Sequence, residues 1–356
     1  MLRASLLLGL LAACSSAPAP VGVAVNGLGL TLGPLRADCG VGRIRSLTPL
    51  DHGDLLICGE RGAVRRTAAG AFEDRIQFAE AQAHAVPLWL GKAGAVRAPG
   101  SVEPHYADLG GGWANVDLLD SAGRTLWTRP GQEHTASADC LASGDLDGDG
   151  DLEFAIGYNG SGGLELVDHG GRTIWWRRAG NVFSAAICDL DGDGGNELIH
   201  SSTGHGLVVR DAGGEVLWTV GRQDGHFTLF NWPALAAGPL IGVTHRGVRF
   251  DVLSPRGDLL LSWDLPGSGH SVSHALSRGS QLTLTRTLGA TERRSELLIF
   301  SAADGLLYHQ VFANSYLAPA RSHDPQAPLW LGAGAALWSH APSSDQADQR
   351  GTSAPD

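Results

Sequence analysis

The sequence lacks the features that mark several large protein classes. Beyond the N-terminal segment, no apolar run reaches the roughly 20 residues that a membrane-spanning helix needs, and no long stretch has helical apolar spacing. The motifs G-x-S-x-G and H-E-x-x-H and the phosphate-binding loop do not occur. A formal net charge of -11 argues against nucleic acid as a partner, because phosphate binding needs a basic face.

Glycine and short apolar stretches are abundant instead. The chain has 50 glycines among 356 residues and is 43% hydrophobic. This composition predicts many tight turns, short strands and a real core, and therefore an all-β fold.

The first residues, MLRASLLLGLLAAC, read as an export signal, with Arg3 before a short apolar run. Leu11 to Cys14 resembles the lipobox of bacterial lipoproteins. That resemblance implies a signal peptide at 1–13, acylation of Cys14 and a tether at 14–20. Because Ser15 follows the cysteine, it also implies an outer-membrane lipoprotein of the cell envelope, facing the periplasm or the cell surface. The alternative is an ordinary signal peptide that is cut near Ala17 or Ala19.

Four cysteines remain after Cys14: Cys39, Cys58, Cys140 and Cys188. In an oxidising compartment an even count permits two disulfides. Pairing Cys39 with Cys58 and Cys140 with Cys188 gives the shortest loops, but four buried thiols are an equal alternative.

A repeat ending in an aromatic residue runs through the chain. Asp120 to Trp127 reads DSAGRTLW, Asp168 to Trp175 reads DHGGRTIW, and Asp211 to Trp218 reads DAGGEVLW. Weaker copies end at Trp263 and Tyr308, so the spacings are 48, 43, 45 and 45 residues. A period near 45 is typical of one four-stranded propeller blade, and the tryptophan is placed to pack between blades.

Counting blades predicts a seven-bladed β-propeller over residues 21–342. Five aromatic-ended units and a first blade around 55–64 leave two incomplete ends. We expect residues 21–32 to pair with the strands around 329–338 in a shared seventh blade, because closure removes open sheet edges. Residues 343–356 are polar and predict a disordered tail.

Two acidic loops carry the strongest chemical signal, and they lie 44 residues apart, one blade period. They read DLDGDGDLE from position 145 and DLDGDGGNE from position 189. Carboxylates at loop positions 1, 3, 5 and 9 and the carbonyl of position 7 can converge on one cation, as in other calcium loops. The predicted ligands of two calcium ions are Asp145, Asp147, Asp149, Asp151, Glu153, Asp189, Asp191, Asp193, Gly195 and Glu197.

These loops resemble the FG-GAP and VCBS repeats of integrin-α-like propellers over roughly residues 136–220. The Asp-x-x-Gly-x-x-x-Trp units also resemble PQQ-like repeats, including those of lipoproteins in outer-membrane assembly. Neither resemblance carries a catalytic residue onto this chain, and both folds host many functions.

Four histidines stand just before the first strand of a blade: His84, His134, His226 and His270. They predict either a ligand site at the channel mouth or, more simply, the capping of strand-entry turns.

Two functions are consistent with the sequence. The first is a calcium-stabilised, lipid-anchored binding or scaffold module whose partner is an envelope protein or a glycan. The alternative is a polysaccharide-active or quinone-dependent enzyme that uses the propeller channel.

Overall fold

The computed structural model describes residues 23–24, 37–78, 86–90, 97, 102–109, 115–130, 137–203, 205–221, 226–267, 269, 272–288, 294–312, 317–321, 329–333 and 336–340. The described part of the chain is built of β-strands and contains one short 3₁₀ helix, Asp51–Gly53. None of its helices has the length and apolar character needed to cross a bilayer.

The strands of the first half are β1 (Val23–Ala24), β2 (Ala37–Asp38), β3 (Ile44–Pro49), β4 (Leu55–Gly59), β5 (Gly62–Arg66), β6 (Phe72–Gln77), β7 (Val86–Leu88), β8 (His105–Leu109), β9 (Asn115–Leu119), β10 (Thr125–Pro130), β11 (Ala138–Gly144), β12 (Glu153–Tyr158), β13 (Gly163–Val167) and β14 (Thr173–Arg177). Those of the second half are β15 (Ala185–Cys188), β16 (Glu197–Ser202), β17 (Gly206–Arg210), β18 (Val216–Val220), β19 (Phe227–Asn231), β20 (Pro239–His245), β21 (Arg249–Leu253), β22 (Leu259–Asp264), β23 (Val272–Arg278), β24 (Gln281–Leu288), β25 (Arg294–Ser301), β26 (Gly305–Phe312), β27 (Leu317–Arg321), β28 (Leu329–Ala333) and β29 (Ala336–His340).

Six blades are each made of four consecutive antiparallel strands: β3–β6, β7–β10, β11–β14, β15–β18, β19–β22 and β23–β26. A further sheet has the order β2-β29-β28-β27, so it combines three C-terminal strands with one two-residue strand. The prediction of a seven-bladed propeller is therefore wrong: six blades are complete, and the remaining sheet is an incomplete unit beside β3 and β23.

The predicted closing segment is also wrong. Within residues 21–32, Val23 and Ala24 pair with His309 and Tyr308 on β26, at the outer edge of the sixth blade. The incomplete sheet instead receives Ala37 and Asp38, opposite Leu337 and Ala336 on β29. Both outer strands present backbone groups that need partners. The N-terminal segment supplies two residues to each edge rather than one long strand to a single sheet.

Burial follows strand position within a blade. The residues of β12, β13 and β17 are all buried, whereas β14 and β18 begin with two exposed residues. Apolar side chains of neighbouring blades form shared layers, as where Val116 and Leu118 join Phe154 and Ile156. The core is thus a set of interfaces between blades, and each blade depends on its neighbours for burial.

The repeated tryptophan connects the second blade to the third and the third blade to the fourth. The indole Nε1 of Trp127 donates to the His169 carbonyl oxygen at 2.9 Å, and that of Trp175 donates to the Ala212 carbonyl oxygen at 2.8 Å. Both acceptors are the second residue of an Asp-x-x-Gly turn in the following blade. The turn and the tryptophan of the repeat therefore contact each other across blades. Each turn is covered by the indole of the preceding blade.

The first residue of the turn accepts hydrogen bonds from the turn amides, and the last residue is a glycine with a positive φ. Asp168 accepts hydrogen bonds from the backbone amides of Gly170 and Arg172. Gly171 has φ +79°, and a Cβ there would lie 3.0 Å from the Trp127 ring. Glycine is needed both for the left-handed backbone and for the close approach of the indole.

A bulge on the outer strand precedes each of these tryptophans. The ladder skips one aliphatic residue in the second to fourth blades, and skips Leu260 at the same place in the fifth. These residues are turned to solvent, with exposures of 53% for Leu126, 47% for Ile174, 52% for Leu217 and 39% for Leu260. We call these four residues the outer row.

Replacing Trp175, which is 8% exposed, tests the connection between blades. We expect Trp175→Ala to lower the free energy of unfolding by about 3–5 kcal/mol, since it removes a large buried side chain. The neighbouring Ile174→Ala, at an exposed position, should change it by less than about 0.5 kcal/mol. Denaturant titration measures both, and equal losses in the two variants would contradict the assigned role.

Candidate functional site

The two acidic loops occupy equivalent places in adjacent blades. Residues 145–152 connect β11 to β12, and residues 189–196 connect β15 to β16. Each is the turn between the first and second strands of its blade, and it is anchored by a buried leucine, Leu146 or Leu190. The repeat of the sequence is thus a repeat of the structure.

Backbone amides fold the first loop around its carboxylates. Gly148 N donates to Asp145 Oδ1 at 2.9 Å, Gly150 N donates to Asp145 Oδ2 at 3.0 Å, and Leu146 N donates to Glu153 Oε2 at 2.7 Å. The second loop has the same bonds, with Asp189 and Glu197 as acceptors. These hydrogen bonds hold the carboxylates of the first and ninth residues of each loop in place without a bound ligand.

Three carboxylates converge in each loop. Oxygens of Asp145, Asp147 and Glu153 lie within 4.8 Å of one another, and so do those of Asp189, Asp191 and Glu197. The predicted ligands Asp149 and Asp193 do not belong to these groups; each accepts the amide of the residue two positions later. The structure therefore brings together positions 1, 3 and 9 of the predicted set.

Packing these carboxylates together has an electrostatic cost. Burial, and then the charges of Asp147, Asp149 and Asp145, raise the pKa of Glu153 to about 7. Burial and the neighbouring aspartates also raise the pKa of Glu197. Two like charges about 4 Å apart repel by about 1 kcal/mol in water and about 4 kcal/mol near a protein surface. Each loop is consequently poised to gain from a cation at neutral pH.

The donor set selects among cations. Every converging atom is a carboxylate oxygen, which suits a hard ion such as calcium, whereas zinc prefers imidazole and thiolate ligands. Calcium also tolerates the flexible, many-oxygen coordination that a glycine-rich loop can offer. The residues present fit calcium in both loops.

A contact that the repeat did not indicate links the two loops. Asn196 Nδ2 donates to the backbone carbonyl oxygen of Asp145 at 2.6 Å, from the eighth position of the second loop. The equivalent residue of the first loop is Leu152, which is buried. In the sequence, this contact is indicated only by the difference between leucine and asparagine at the eighth position of two otherwise similar loops.

Of the four histidines predicted at the channel mouth, His226 lies among the described residues. His226 lies near Ser184, with Nδ1 and Oγ 3.2 Å apart, and beside the Phe183 ring. The other three histidines, His84, His134 and His270, lie outside the described residues, as does Cys14.

Cys39, Cys58, Cys140 and Cys188 are free thiols in the structure, which corresponds to the alternative of four thiols rather than two disulfides. Cys39 and Cys58 pack in different apolar layers, as do Cys140 and Cys188. Burial raises the pKa of the Cys58 and Cys140 thiols to about 12 and that of Cys188 to about 11, so all three are inert small apolar groups at neutral pH.

Comparison with known proteins identifies the architecture. No protein-family model matches the sequence, so the resemblance to FG-GAP and VCBS repeats is not confirmed. No curated protein matches it either. Among solved structures, BBS1N in complex with ARL6DN aligns with TM-score 0.54 and 15% identity, over 85% of this chain and 95% of that one.

Two further structures agree. The Dos1 propeller aligns with TM-score 0.50 and 12% identity, over 85% of this chain and 92% of that chain. A chain of a mitotic checkpoint complex aligns with TM-score 0.53 and 14% identity, over 95% and 99%. At these identities the likeness shows the fold alone: this chain is an all-β β-propeller.

Proposed function

We propose that this propeller is a calcium-stabilised binding or scaffold module of the cell envelope, held at the outer membrane by a lipid on Cys14. The observation that carries the binding role is the outer row. Exposed aliphatic residues recur at one structural position on four consecutive blades, whereas apolar residues on the surface of a soluble protein are usually scattered singly.

The sheet edge beside the outer row supports the same role. Among the described residues, no strand pairs with the open edges of β10, β14, β18 and β22. On the sixth blade, β1 does pair with the corresponding edge, and there the equivalent bulge residue, Leu307, is 8% exposed. The chain thus contains an example of strand addition at this edge, a recurrent mode of peptide recognition. We infer an extended segment of an envelope protein as the partner.

The solved structures with this fold add a weaker argument. Two of the aligned chains come from protein assemblies, BBS1N with ARL6DN and a mitotic checkpoint complex. A propeller that binds other proteins is consistent with those neighbours.

Photo-crosslinking in cells that make the protein tests the binding role. A photoreactive residue at Ile174 or Leu217 should crosslink to a discrete envelope protein, and Leu217→Glu should weaken the crosslink from position 174. Val248 provides the matched control, because it is as exposed as Ile174, at 47%, but lies outside the outer strands. Equal crosslinking from position 248, or none from 174 and 217, would contradict the proposal.

Calcium binding predicts a stability effect. At free calcium a hundredfold above the dissociation constant, each site should add about 2.7 kcal/mol to the free energy of unfolding. Asp147→Ala and Asp191→Ala should each remove one of two ions counted by calorimetry. Glu215→Gln should retain both, since Glu215 is an exposed carboxylate outside the loops. Two ions retained in both aspartate variants would show that the loops are not the sites.

The effect of calcium should also depend on pH. Because the pKa of Glu153 is raised to about 7, this carboxyl is protonated at pH 5 in the metal-free folded protein. In the metal-free protein, the folded state binds the Glu153 proton more tightly than the unfolded state does. The resulting stabilisation is complete below about pH 4.5 and is lost as the pH rises through about 7. Calcium should therefore stabilise the protein more at pH 7.5 than at pH 5.

The lipid anchor has its own test. Cys14→Ser should move the protein from the membrane fraction to the soluble periplasm, because it removes the acylated residue. Cys39→Ser changes a cysteine that has no part in the anchor and serves as control. Unchanged membrane association of Cys14→Ser would refute the anchor without bearing on the outer row.

A further inference from the structure

A cleft of about 470 Å³ lies between the first two blades, away from the acidic loops and the outer row. Leu56, Ile76 and Trp89 contribute apolar surface to it, and polar groups come from both blades. The volume is within the range of about 300–1,000 Å³ that is usual for small-molecule sites.

The charges lining the cleft are unbalanced. Asp54, Asp74 and Glu103 supply three carboxylates against one guanidinium, that of Arg65. Arg65 is already bound to Asp54 and Asp74 at 2.7 Å each, and to Glu73 at 2.9 Å. Its positive charge is therefore neutralised, and the cleft is left with a net negative charge that repels anions. Because the guanidinium occupies two of the carboxylates, a metal ion would have to displace it.

Two uncommon backbone conformations occur at the same place. Three described residues other than glycine have a positive φ: His52 at 60°, Asp74 at 50° and Arg246 at 47°. Two of them, His52 and Asp74, line the cleft. Aspartate and histidine tolerate this left-handed backbone better than most residues, so the two positions shape the wall of the cleft without large strain.

Two aromatic side chains complete the lining. Trp89 is 9% exposed, and Tyr106 is fully buried. The Tyr106 hydroxyl has no hydrogen-bond partner among the described residues, which is unusual for a buried polar group. An aromatic ring, here that of Trp89, beside an uncompensated carboxylate, here that of Glu103, is a combination that recognises organic cations.

We propose that this cleft binds an organic cation, an ammonium or guanidinium group on a short carbon chain. The charge is attracted by Glu103, the lining carboxylate that Arg65 does not pair, and by the remaining negative charge around Arg65, while the carbon chain covers Trp89. The same chemistry is presented by a free amine and by a lysine or arginine side chain of a partner protein. This site is independent of the calcium loops and of the strand edge proposed above.

Titration calorimetry of the full chain tests the site with defined probes. Choline, agmatine and N-acetyl-lysine amide carry the charge, and 3,3-dimethylbutan-1-ol is the neutral isostere of choline. We expect saturable binding of the cations that weakens as ionic strength rises, and no saturable binding of the neutral isostere. Tighter binding of the lysine derivative than of choline and agmatine would indicate a partner's side chain as the source, and the reverse order a free amine.

Two variants remove one charge each. Glu103→Gln changes an exposed side chain, and Asp74→Asn keeps a residue type that tolerates a positive φ. Each should weaken cation binding by about fivefold or more, whereas Glu215→Gln should leave it unchanged. Thermal unfolding checks that each variant is folded; should Asp74→Asn be destabilised, Glu103→Gln alone decides. Failure of all three cations to bind, equal binding of the isostere, or wild-type affinity in folded Glu103→Gln would overturn the proposal.

Discussion

The central blades depend on one contact, in which the tryptophan of one blade packs on the turn of the next. A four-stranded blade cannot bury both of its faces by itself, so its stability comes from its neighbours. The contact places an indole N–H on a turn carbonyl, 2.9 Å away for Trp127 and 2.8 Å for Trp175. Glycine at Gly171 and Gly214 is the complementary half, since a Cβ at either residue would lie about 3.0 Å from the indole.

The acidic loops share this architecture because they occupy the same position in consecutive blades. Their amides already hold Asp145 and Glu153 in place, and burial keeps Glu153 partly protonated near neutral pH. Asn196 ties the second loop to the backbone of the first. The two loops are therefore joined by a direct hydrogen bond.

The blades could be predicted from the sequence because their signal is local and repeated. Asp168, Gly171 and Trp175 lie within eight residues, and the same pattern recurs one blade later. The acidic loops could also be predicted from the sequence. Only the structure shows that Asp149 and Asp193 do not belong to the group of converging carboxylates.

The closure of the ring could not be predicted in the same way. Strands of two residues, such as Val23–Ala24 and Ala37–Asp38, are too short to carry an alternating pattern. The state of the cysteines was left open for a related reason: an even number of cysteines says nothing about which apolar layer each one enters. The cleft brings together His52, Asp74 and Glu103 from separate strands and loops, and no local pattern marks that convergence.

The contact between blades has a direction. Trp127 and Trp175 both reach forward along the chain, to turns that are synthesised after them. The partner turn follows Trp127 by 42 residues and Trp175 by 37 residues. A chain that emerges from its N-terminus after export therefore presents each of these indoles before the turn that covers it. A partly folded array that ends at the second or third blade exposes an apolar ring at its C-terminal side.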